Sequence, residues 1–155
     1  MMKDIKFDNY DTQFLVRVAG INNDRSKVLV HKKKGDNFWN LIGGKPFIGE
    51  TTEEALVREY LEETSLEVKV GNLMCILENI FCVGEVLHHE IVFIYNVRFS
   101  NNIDVSIDIV SKEEDIILKW FSEEEIPNED FLPTKVKDLL FLEEKNIKHI
   151  TNVEL

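Results

Sequence analysis

Cysteine is scarce in this sequence, which has two such residues, Cys75 and Cys82, among 155. Two thiols are too few for a disulfide scaffold, and they form no C-x-x-C pair of the kind that binds zinc. We therefore expect both to be small buried or half-buried apolar side chains in a reducing compartment, the cytoplasm. Long apolar runs are missing as well: none approaches the roughly 18 residues of a membrane span, so no membrane partner is expected.

Basic residues are outnumbered, with 18 Lys and Arg against 29 Asp and Glu, for a net charge of −11. This balance argues against a protein that binds a nucleic acid duplex, because phosphate contacts need a basic surface. A small phosphorylated substrate is still compatible with it, since a metal ion can reverse the local charge. The basic run Lys32-Lys33-Lys34 fits either a solvated strand end or a patch that steers phosphate.

The start of the chain, MMKDIKFDNYDTQF, is charged and lacks the basic and apolar regions of a signal peptide. The chain also shows no internal repeat, no low-complexity tract and no linker. We therefore expect a single domain over residues 1–155, of a size that can bury a real core. We expect this domain to be a monomer or a homodimer.

β-rich segments surround a helical segment and a second helical segment follows, which indicates a mixed α/β fold with helices packed on a sheet. The predicted strands cover residues 14–21, 27–31, 38–42, 66–83, 85–99 and 116–121, and the predicted helices cover 51–64 and 134–144. The first two strands bracket an Asn-Asn-Asp turn at residues 22–24, so we expect them to pair as a hairpin.

The helix predicted over residues 51–64 has two different faces. Thr51 and Glu54 form a capping box at its start. Glu59, Glu62 and Glu63 stand at i, i+3 and i+4, so their carboxylates converge on one face. Grouped carboxylates suit a hard divalent cation such as Mg²⁺, which usually brings substrate phosphates with it. The apolar stripe, which we expect to be buried on the other side, consists of Leu56, Val57, Tyr60, Leu61 and Thr64.

These glutamates belong to a longer pattern. Residues 44–66 read Gly44-x5-Glu50-x7-Arg58-Glu59-Tyr60-Leu61-Glu62-Glu63-Thr64-Ser65-Leu66. The pattern resembles the signature of the Nudix hydrolases, G-x5-E-x7-R-E-U-x-E-E-x-G-U, where U is aliphatic, and it matches seven of the nine specified positions. The flanks agree: FWNLIGG at residues 38–44 is similar to the family's W-x-L-P-G-G lead-in, and KWFSEEEIP at 119–127 to a recurrent late strand and turn.

Two positions depart from the signature, and neither removes a ligand. Tyr60 stands where an aliphatic residue is usual, on the stripe that we expect to be buried. Ser65 replaces the glycine that ends the helix, where a left-handed conformation costs glycine nothing. The serine must either adopt that conformation at a cost of about 1 kcal/mol or leave the helix by another route.

The resemblance implies an α/β/α sandwich with a mixed sheet, on which the motif helix and a C-terminal helix pack. It also implies hydrolysis of the pyrophosphate bond of a nucleoside diphosphate linked to another moiety, with Mg²⁺ or Mn²⁺. The substrate could be a nucleoside triphosphate, ADP-ribose, a dinucleoside polyphosphate or a nucleotide sugar. The alternative is a sensor of the same fold that binds a nucleotide without cleaving it, although such members usually lose motif glutamates.

The resemblance further implies roles for individual residues. The carboxylates implied to bind the cation are Glu59, Glu62 and Glu63, with Glu50 as a supporting acid. Arg58 would orient a carboxylate through charge-assisted hydrogen bonds. Gly43 and Gly44 either allow the backbone to approach the site closely or simply permit a turn.

The group that takes the proton from the attacking water is left open between two places. Within the motif, Glu62 or Glu63 could do so. Outside it, Glu90 is the candidate additional acid, and strand alternation places it on the same face as His88; Asp104 and Asp108 are weaker candidates. The aromatic residues that could stack on a base, or belong to the core, are Phe38, Trp39, Phe81 and Tyr95.

Overall fold

The computed structural model describes residues 1–22, 26–143 and 145–155. Its strands are β1 (Lys6–Asp8), β2 (Thr12–Asn22), β3 (Lys27–Lys33), β4 (Asn40–Gly44), β5 (Val68–Val83), β6 (Val86–Phe99), β7 (Ile116–Ser122) and β8 (Lys148–Glu154), with α1 (Thr52–Thr64) between β4 and β5. Within these residues they form an eight-stranded sheet of order β7-β3-β4-β2-β6-β5-β8, and β1 pairs with β2. The sheet is mixed, because β2 runs parallel to β6 and β5 parallel to β8 while the other pairs are antiparallel.

The sheet buries apolar side chains on both faces. On the helix face, which α1 covers, the core includes Val18, Leu29, Ile42, Leu56 and Tyr60. On the opposite face the core includes Trp39, Leu77, Ile94, Phe121 and Leu139. Two 3-10 helices, Ile126–Asn128 and Thr134–Leu139, contribute to that second core. The mixed sheet with helical segments packed on it is the predicted fold class, with less helix than we expected.

The closing helix predicted over residues 134–144 is a 3-10 helix that ends at Leu139, and residue 144 lies outside the described residues. No side chain caps its start, where Pro133 precedes Thr134. Val136 and Leu139 are buried, and their spacing of three residues places both on one side of a 3-10 helix. A short uncapped segment gains little from α-helical nucleation, so packing on the sheet decides its geometry.

The predicted hairpin is wrong, although both of its strands exist. β4 lies between β2 and β3 and pairs with each of them, while residues 23–24 of the expected turn lie outside the described residues. The Asn22 side chain links the two strands instead, because it accepts a hydrogen bond from the Leu29 amide and donates one to the Lys27 carbonyl. β4 itself starts two residues later than expected and includes both glycines, Gly43 and Gly44.

Two strands were not predicted. β1 has three exposed residues, too few for a periodic signal, and it pairs with the start of β2. β8 adds a parallel edge strand beside β5, and of its residues Asn152 is fully buried. In the described ranges, no helix combines the length and the apolar character that crossing a membrane requires.

The ends of α1 follow their local sequence. The Thr51 hydroxyl accepts a hydrogen bond from the Glu54 amide, and the Glu54 carboxylate accepts one from the Thr51 amide, so the predicted capping box is complete. At the other end Ser65 adopts the left-handed conformation, with φ 63° and ψ 12°, and its amide donates to the Leu61 carbonyl. Ser65 therefore takes the glycine-like route out of the helix and bears its conformational cost.

Candidate active site

α1 is rotated about its axis relative to the predicted orientation. Val57 and Leu61, expected in the buried stripe, are 38% and 43% exposed. Ala55 and Glu63 are buried instead, beside Leu56, Tyr60 and Thr64 of the predicted stripe. The rotation turns the carboxylate-bearing side of the helix toward the sheet. Glu59 and Glu63 therefore lie at the junction of helix and sheet, while the Glu62 side chain remains 51% exposed.

Arg58 hydrogen-bonds to three of these carboxylates. Its Nε and Nη2 bind Oε1 and Oε2 of Glu50 at 2.8 and 2.9 Å, a two-pronged contact. Its Nη1 binds Oε1 of Glu59 at 2.8 Å and reaches Oε2 of Glu62 at 3.4 Å. Nη2 also donates to the Lys45 carbonyl. The guanidinium thus orients the acids around it, the kind of geometry that suits the role implied for Arg58.

Glu50 is held at both oxygens. Besides the two bonds from Arg58, its Oε2 accepts a hydrogen bond from the Phe47 amide at 2.9 Å. These contacts, the Arg58 bond foremost, lower the pKa of Glu50. The Phe47 ring lies under the guanidinium, with Arg58 Cζ 4.1 Å from the ring centroid. As placed, Glu50 fixes Arg58 and the loop before α1 and offers little to a cation.

Glu59 packs against the backbone of β4. A Cβ built on Gly44 would lie 2.2 Å from Oε1 of Glu59, and one built on Gly43 would lie 2.0 Å from the Val18 carbonyl oxygen. Neither glycine has a positive φ, so both serve close approach and not a turn. Burial, reinforced by the charges of Glu62 and Glu63, raises the pKa of Glu59. Confined next to like charges, this carboxylate is well suited to a cationic partner.

Glu63 forms a contact that no sequence signal pointed to. Its Oε2 lies 2.5 Å from Nδ1 of His31 on β3, and both side chains are almost fully buried. His31 shares the helix face of β3 with Leu29, two residues earlier, as strand alternation requires. That alternation was readable from the sequence, but nothing in it indicated which helix residue His31 would meet.

A second missed element is the segment that leads into β7. The carbonyl oxygen of Glu63 accepts hydrogen bonds from the Ser111 hydroxyl at 2.8 Å and from the Lys112 amide at 3.3 Å. The next residue is Glu113. Partial desolvation, together with the charges of Glu63 and Glu62, raises the pKa of Glu113, although its side chain is exposed. Glu113 therefore belongs to the electrostatic environment of the motif, and its only sequence signal was an acidic run in a loop.

Glu90 is not brought together with the motif carboxylates. It shares a strand face with Val92 and Ile94, which belong to the opposite-face core, so the sheet separates it from α1. There Glu90 is buried and accepts a hydrogen bond from Asn79 at 3.1 Å. Asn79 in turn accepts one from Asn152 on β8. Glu90 thus belongs to a ladder of buried polar side chains across three strands.

Of the other candidates from the sequence, Tyr95 lies at the start of the motif helix, where its hydroxyl is 2.8 Å from the Thr52 hydroxyl, whereas His88, Asp104 and Lys32 make contacts outside the motif. His88 stacks on Phe81 with ring centroids 4.9 Å apart. Asp104 accepts hydrogen bonds from the amide and hydroxyl of Ser106 in its own turn. Lys32 places its Nζ 4.7 Å from the Trp39 ring, on the face opposite to α1 where Trp39 packs in the core. Each of these three side chains thus has a structural contact that explains its position.

The donor set near α1 fits a divalent cation in chemistry and charge. We use "the motif carboxylates" for Glu50, Glu59, Glu62 and Glu63, which are all hard oxygen donors of the kind that Mg²⁺ and Mn²⁺ prefer. Within the described residues, no three acidic, His or Cys side chains are placed so as to hold an ion as they stand. Arg58 and His31 occupy oxygens of the motif carboxylates instead, while Glu62 is half exposed and weakly held.

Comparison with known proteins decides the family. A family model described as NUDIX domain matches residues 12–140. The chain belongs to the Nudix family. The match contains every residue of the signature and extends from β2 to the second 3-10 helix. The Nudix signature therefore coincides with the loop, helix and β4 backbone that form the site described above.

Two solved structures show that the Nudix fold extends over nearly the whole chain. The mutator MutT protein from Bacillus halodurans superposes with a TM-score of 0.65 at 21% identity, covering 88% of this chain and 90% of that one. A MutT Nudix hydrolase from Burkholderia pseudomallei gives 0.64 at 22% identity, covering 84% and 99%. Identities this low are evidence of a shared fold alone.

Two curated proteins are similar in sequence over a shorter segment. A putative 8-oxo-dGTP diphosphatase from Bacillus subtilis is 43% identical over 53 residues, 32% of this chain and 36% of its own length. An ADP-ribose pyrophosphatase from Methanocaldococcus jannaschii is 45% identical over 62 residues, 38% of this chain and 37% of its own length. The matched segments thus span little more than a third of each relative.

Proposed function

We propose that this Nudix protein is a divalent-metal-dependent hydrolase that cleaves the pyrophosphate bond of a nucleoside diphosphate linked to another moiety. One observation carries the proposal: Arg58, Glu59 and Glu63 are fixed by hydrogen bonds at the junction of α1 with β3 and β4. Glu59 and Glu63 carry like charges that repel each other, and such repulsion does not stabilise a fold by itself. A function that needs concentrated negative charge explains their arrangement.

The names of the two curated relatives support this class of reaction. One is named for a nucleoside triphosphate that carries a damaged base, and the other for ADP-ribose. Both compounds contain a nucleoside diphosphate, so the common chemistry is attack on a phosphoanhydride. We leave the group attached to that diphosphate open, because the matched segments are short and the motif residues are implicated in cleaving the bond and not in recognising that group.

Glu59, Glu62 and Glu63 are the residues that we expect to hold Mg²⁺ or Mn²⁺. When bound, such an ion neutralises the phosphate oxygens and makes a water molecule more acidic. Glu62 would have to leave its 3.4 Å contact with Arg58, which is a small rearrangement for a half-exposed side chain. Glu63 and Glu59 are already held in place by His31 and Arg58.

The protein's own residues then position the reaction. A water oxygen attacks one phosphorus, the bridging P–O bond breaks, and the leaving phosphate departs with that oxygen. The proton of the water passes to a nearby carboxylate. Glu62 and Glu63 are candidates from the motif, and Glu113, with its raised pKa, replaces Glu90 as the candidate outside it. A carboxylate with a raised pKa is better matched to proton transfer near neutral pH.

The proposal is tested with Glu62→Gln and Glu63→Gln. Each should lower Mg²⁺-dependent release of nucleotide product by roughly 10²–10³-fold, the loss typical of removing one electrostatic contact to a transition state. The matched control is Glu53→Gln, an exposed glutamate in the first turn of the same helix, which should keep wild-type turnover. Full turnover in both site variants would contradict the cation assignment.

The proton acceptor is tested by comparing Glu113→Gln with Glu90→Gln. If Glu113 accepts the proton, its variant should lower kcat by about 10²-fold or more and leave the affinity for Mn²⁺ close to that of the wild type. Glu90→Gln should affect thermal stability more than turnover, because its carboxylate lies in the buried ladder with Asn79. The reverse pattern would return the assignment to Glu90.

A panel of nucleoside diphosphate derivatives with identified products settles the substrate. It should include a nucleoside triphosphate, an oxidised one, ADP-ribose, a dinucleoside polyphosphate and a nucleotide sugar, each with Mg²⁺ and with Mn²⁺. Tight binding of one member without turnover would favour a non-catalytic nucleotide sensor.

Both cysteines are free thiols, which agrees with our proposal that the protein acts in a reducing cytoplasm.

A further inference from the structure

Glu63 is fixed by contacts at both its side chain and its main chain. Its carboxylate lies against His31, with Oε2 to Nδ1 at 2.5 Å, and its carbonyl oxygen accepts hydrogen bonds from Ser111 and Lys112. Glu63 is 5% exposed and His31 is 8% exposed. A buried carboxylate needs a partner of this kind, because an unpaired one would be strongly disfavoured. The contact therefore sets the direction of the carboxylate.

His31 is a rigid support. It lies in β3, opposite Asn40 of β4 on one side and Leu118 of β7 on the other. A residue flanked by hydrogen-bonded strands on both sides can shift little. By contrast, the partner of Glu59 is Arg58 on the same helix, so His31 ties the motif helix to the sheet.

The contact with His31 uses one carboxylate oxygen of Glu63 and leaves the other available. Oε2 faces His31, whereas Oε1 accepts no hydrogen bond from the residues that the structure describes. Glu59 has a similar arrangement, since Arg58 binds its Oε1 and not its Oε2. A carboxylate held through one oxygen can still offer the second to a cation.

We propose that His31 is a positioning residue for the cation site, which holds Glu63 through Oε2 and leaves Oε1 for the ion. The proposal rests on the proposed function in one respect, namely that Glu63 is a cation ligand. Hydrogen-bond partners of metal ligands set the orientation of the ligand, and their removal typically weakens metal binding by about 10–100-fold. The alternative is that the His31–Glu63 pair only stabilises the packing of α1 on the sheet.

The experiment measures Mn²⁺ affinity without nucleotide, by electron paramagnetic resonance of the free ion, together with urea unfolding. His31→Leu and His31→Phe remove the donor and fill the space. His31→Asn keeps an N–H close to the position of Nδ1. We expect the two donor-free variants to weaken Mn²⁺ binding by about 10–100-fold, and His31→Asn to recover most of the affinity.

A double-mutant cycle separates positioning from packing. In a Glu63→Gln background, His31→Leu should cause little further loss of Mn²⁺ affinity, because the carboxylate that His31 orients is already gone. Additive losses would overturn the proposal, as would unchanged Mn²⁺ affinity in folded His31→Leu. Unfolding of both donor-free variants would overturn it too, since the pair would then be a support of the fold.

Failure of this inference and failure of the proposed function give different results. If the wild type binds Mn²⁺ but hydrolyses no member of the nucleotide panel, the proposed function fails while the effect of His31 on binding can still be measured. If the wild type hydrolyses a nucleotide and His31→Leu binds Mn²⁺ equally well, the positioning role alone fails.

Discussion

Replacing Gly44 with alanine would place a methyl group inside the carboxylate of Glu59. The added Cβ would lie 2.2 Å from Oε1, 2.3 Å from Cδ and 2.6 Å from Oε2 of Glu59. Ordinary contact begins near 3.4 Å, so the carboxylate must retreat by about 1.2 Å at least. Because φ at Gly44 is not positive, alanine suffers no backbone strain. The effect therefore falls on Glu59.

The size of the effect follows from what Glu59 loses. Its retreat breaks the 2.8 Å hydrogen bond from Arg58, and a bond of this charged kind contributes about 1.5–3 kcal/mol. Both side chains keep some contact with water, so the lower end applies. For a domain of this size, 1.5 kcal/mol corresponds to a fall in Tm of about 3–6 °C. Turnover should fall further, by about 10²-fold, because a ligand displaced by about 1 Å no longer fits the reaction geometry.

Gly43→Ala provides the contrast. Its Cβ would lie 2.0 Å from the Val18 carbonyl oxygen and 2.7 Å from the Ala19 Cα, and this neighbouring backbone cannot move aside as a side chain can. We expect a loss of about 3 kcal/mol or more from this overpacking, seen as a fall in Tm of about 6–12 °C or more. Circular dichroism melts, Mn²⁺ affinity and nucleotide hydrolysis distinguish the two variants. Wild-type turnover and Mn²⁺ affinity in Gly44→Ala would refute the reasoning.

Three further predictions concern other residues. Ser65→Gly should raise the free energy of unfolding by up to about 1 kcal/mol, because glycine adopts the left-handed conformation freely; a urea titration showing destabilisation would contradict this. Burial raises the pKa of Cys75 to about 11, so at pH 8 a disulfide reagent should modify one thiol quickly, and Cys82→Ser should abolish that phase. The Arg58 hydrogen bond lowers the pKa of Glu50 from its ordinary value of 4.5. The stabilisation that this bond gives to the folded state is therefore present above pH 4.5 and is lost as the pH falls through the pKa of Glu50 in the folded protein. The free energy of unfolding of the wild type should therefore exceed that of Glu50→Gln by about 1.5–3 kcal/mol at pH 7. Unfolding measured as a function of pH should show this difference shrinking below about pH 4.

Features specified by neighbouring residues could be predicted from the sequence. The capping box of α1 depends on Thr51 and Glu54 alone, and both of its hydrogen bonds are present. The long strands β5 and β6 and the alternation of Glu90, Val92 and Ile94 onto one face follow from the period of two residues. Such local patterns need no knowledge of what the chain meets elsewhere.

Features set by distant contacts could not be predicted in this way. β4 separates β2 from β3 because Gly43 lets its backbone lie against Val18, a fit that periodicity does not contain. The rotation of α1 has a similar origin. The predicted stripe placed Val57 on the buried side and Glu63 on the acidic side, but Glu63 is buried and Val57 is exposed. Glu63 has a partner 32 residues away along the chain, His31, and that partner allows its carboxylate to be buried.

Fold stability alone does not explain the concentration of negative charge at the site. The motif carboxylates and Glu113 carry five negative charges when ionised, and among the described residues that bond to them Arg58 supplies one fixed positive charge. Burial and mutual repulsion already raise the pKa values of Glu59 and Glu113, so the folded state favours their ionised forms less than water does. A protein selected for stability would exchange such acids for neutral side chains. Their grouping on α1 and in the segments before α1 and β7 is explained if a cation completes the charge balance, because the bound cation then attracts an anionic phosphate.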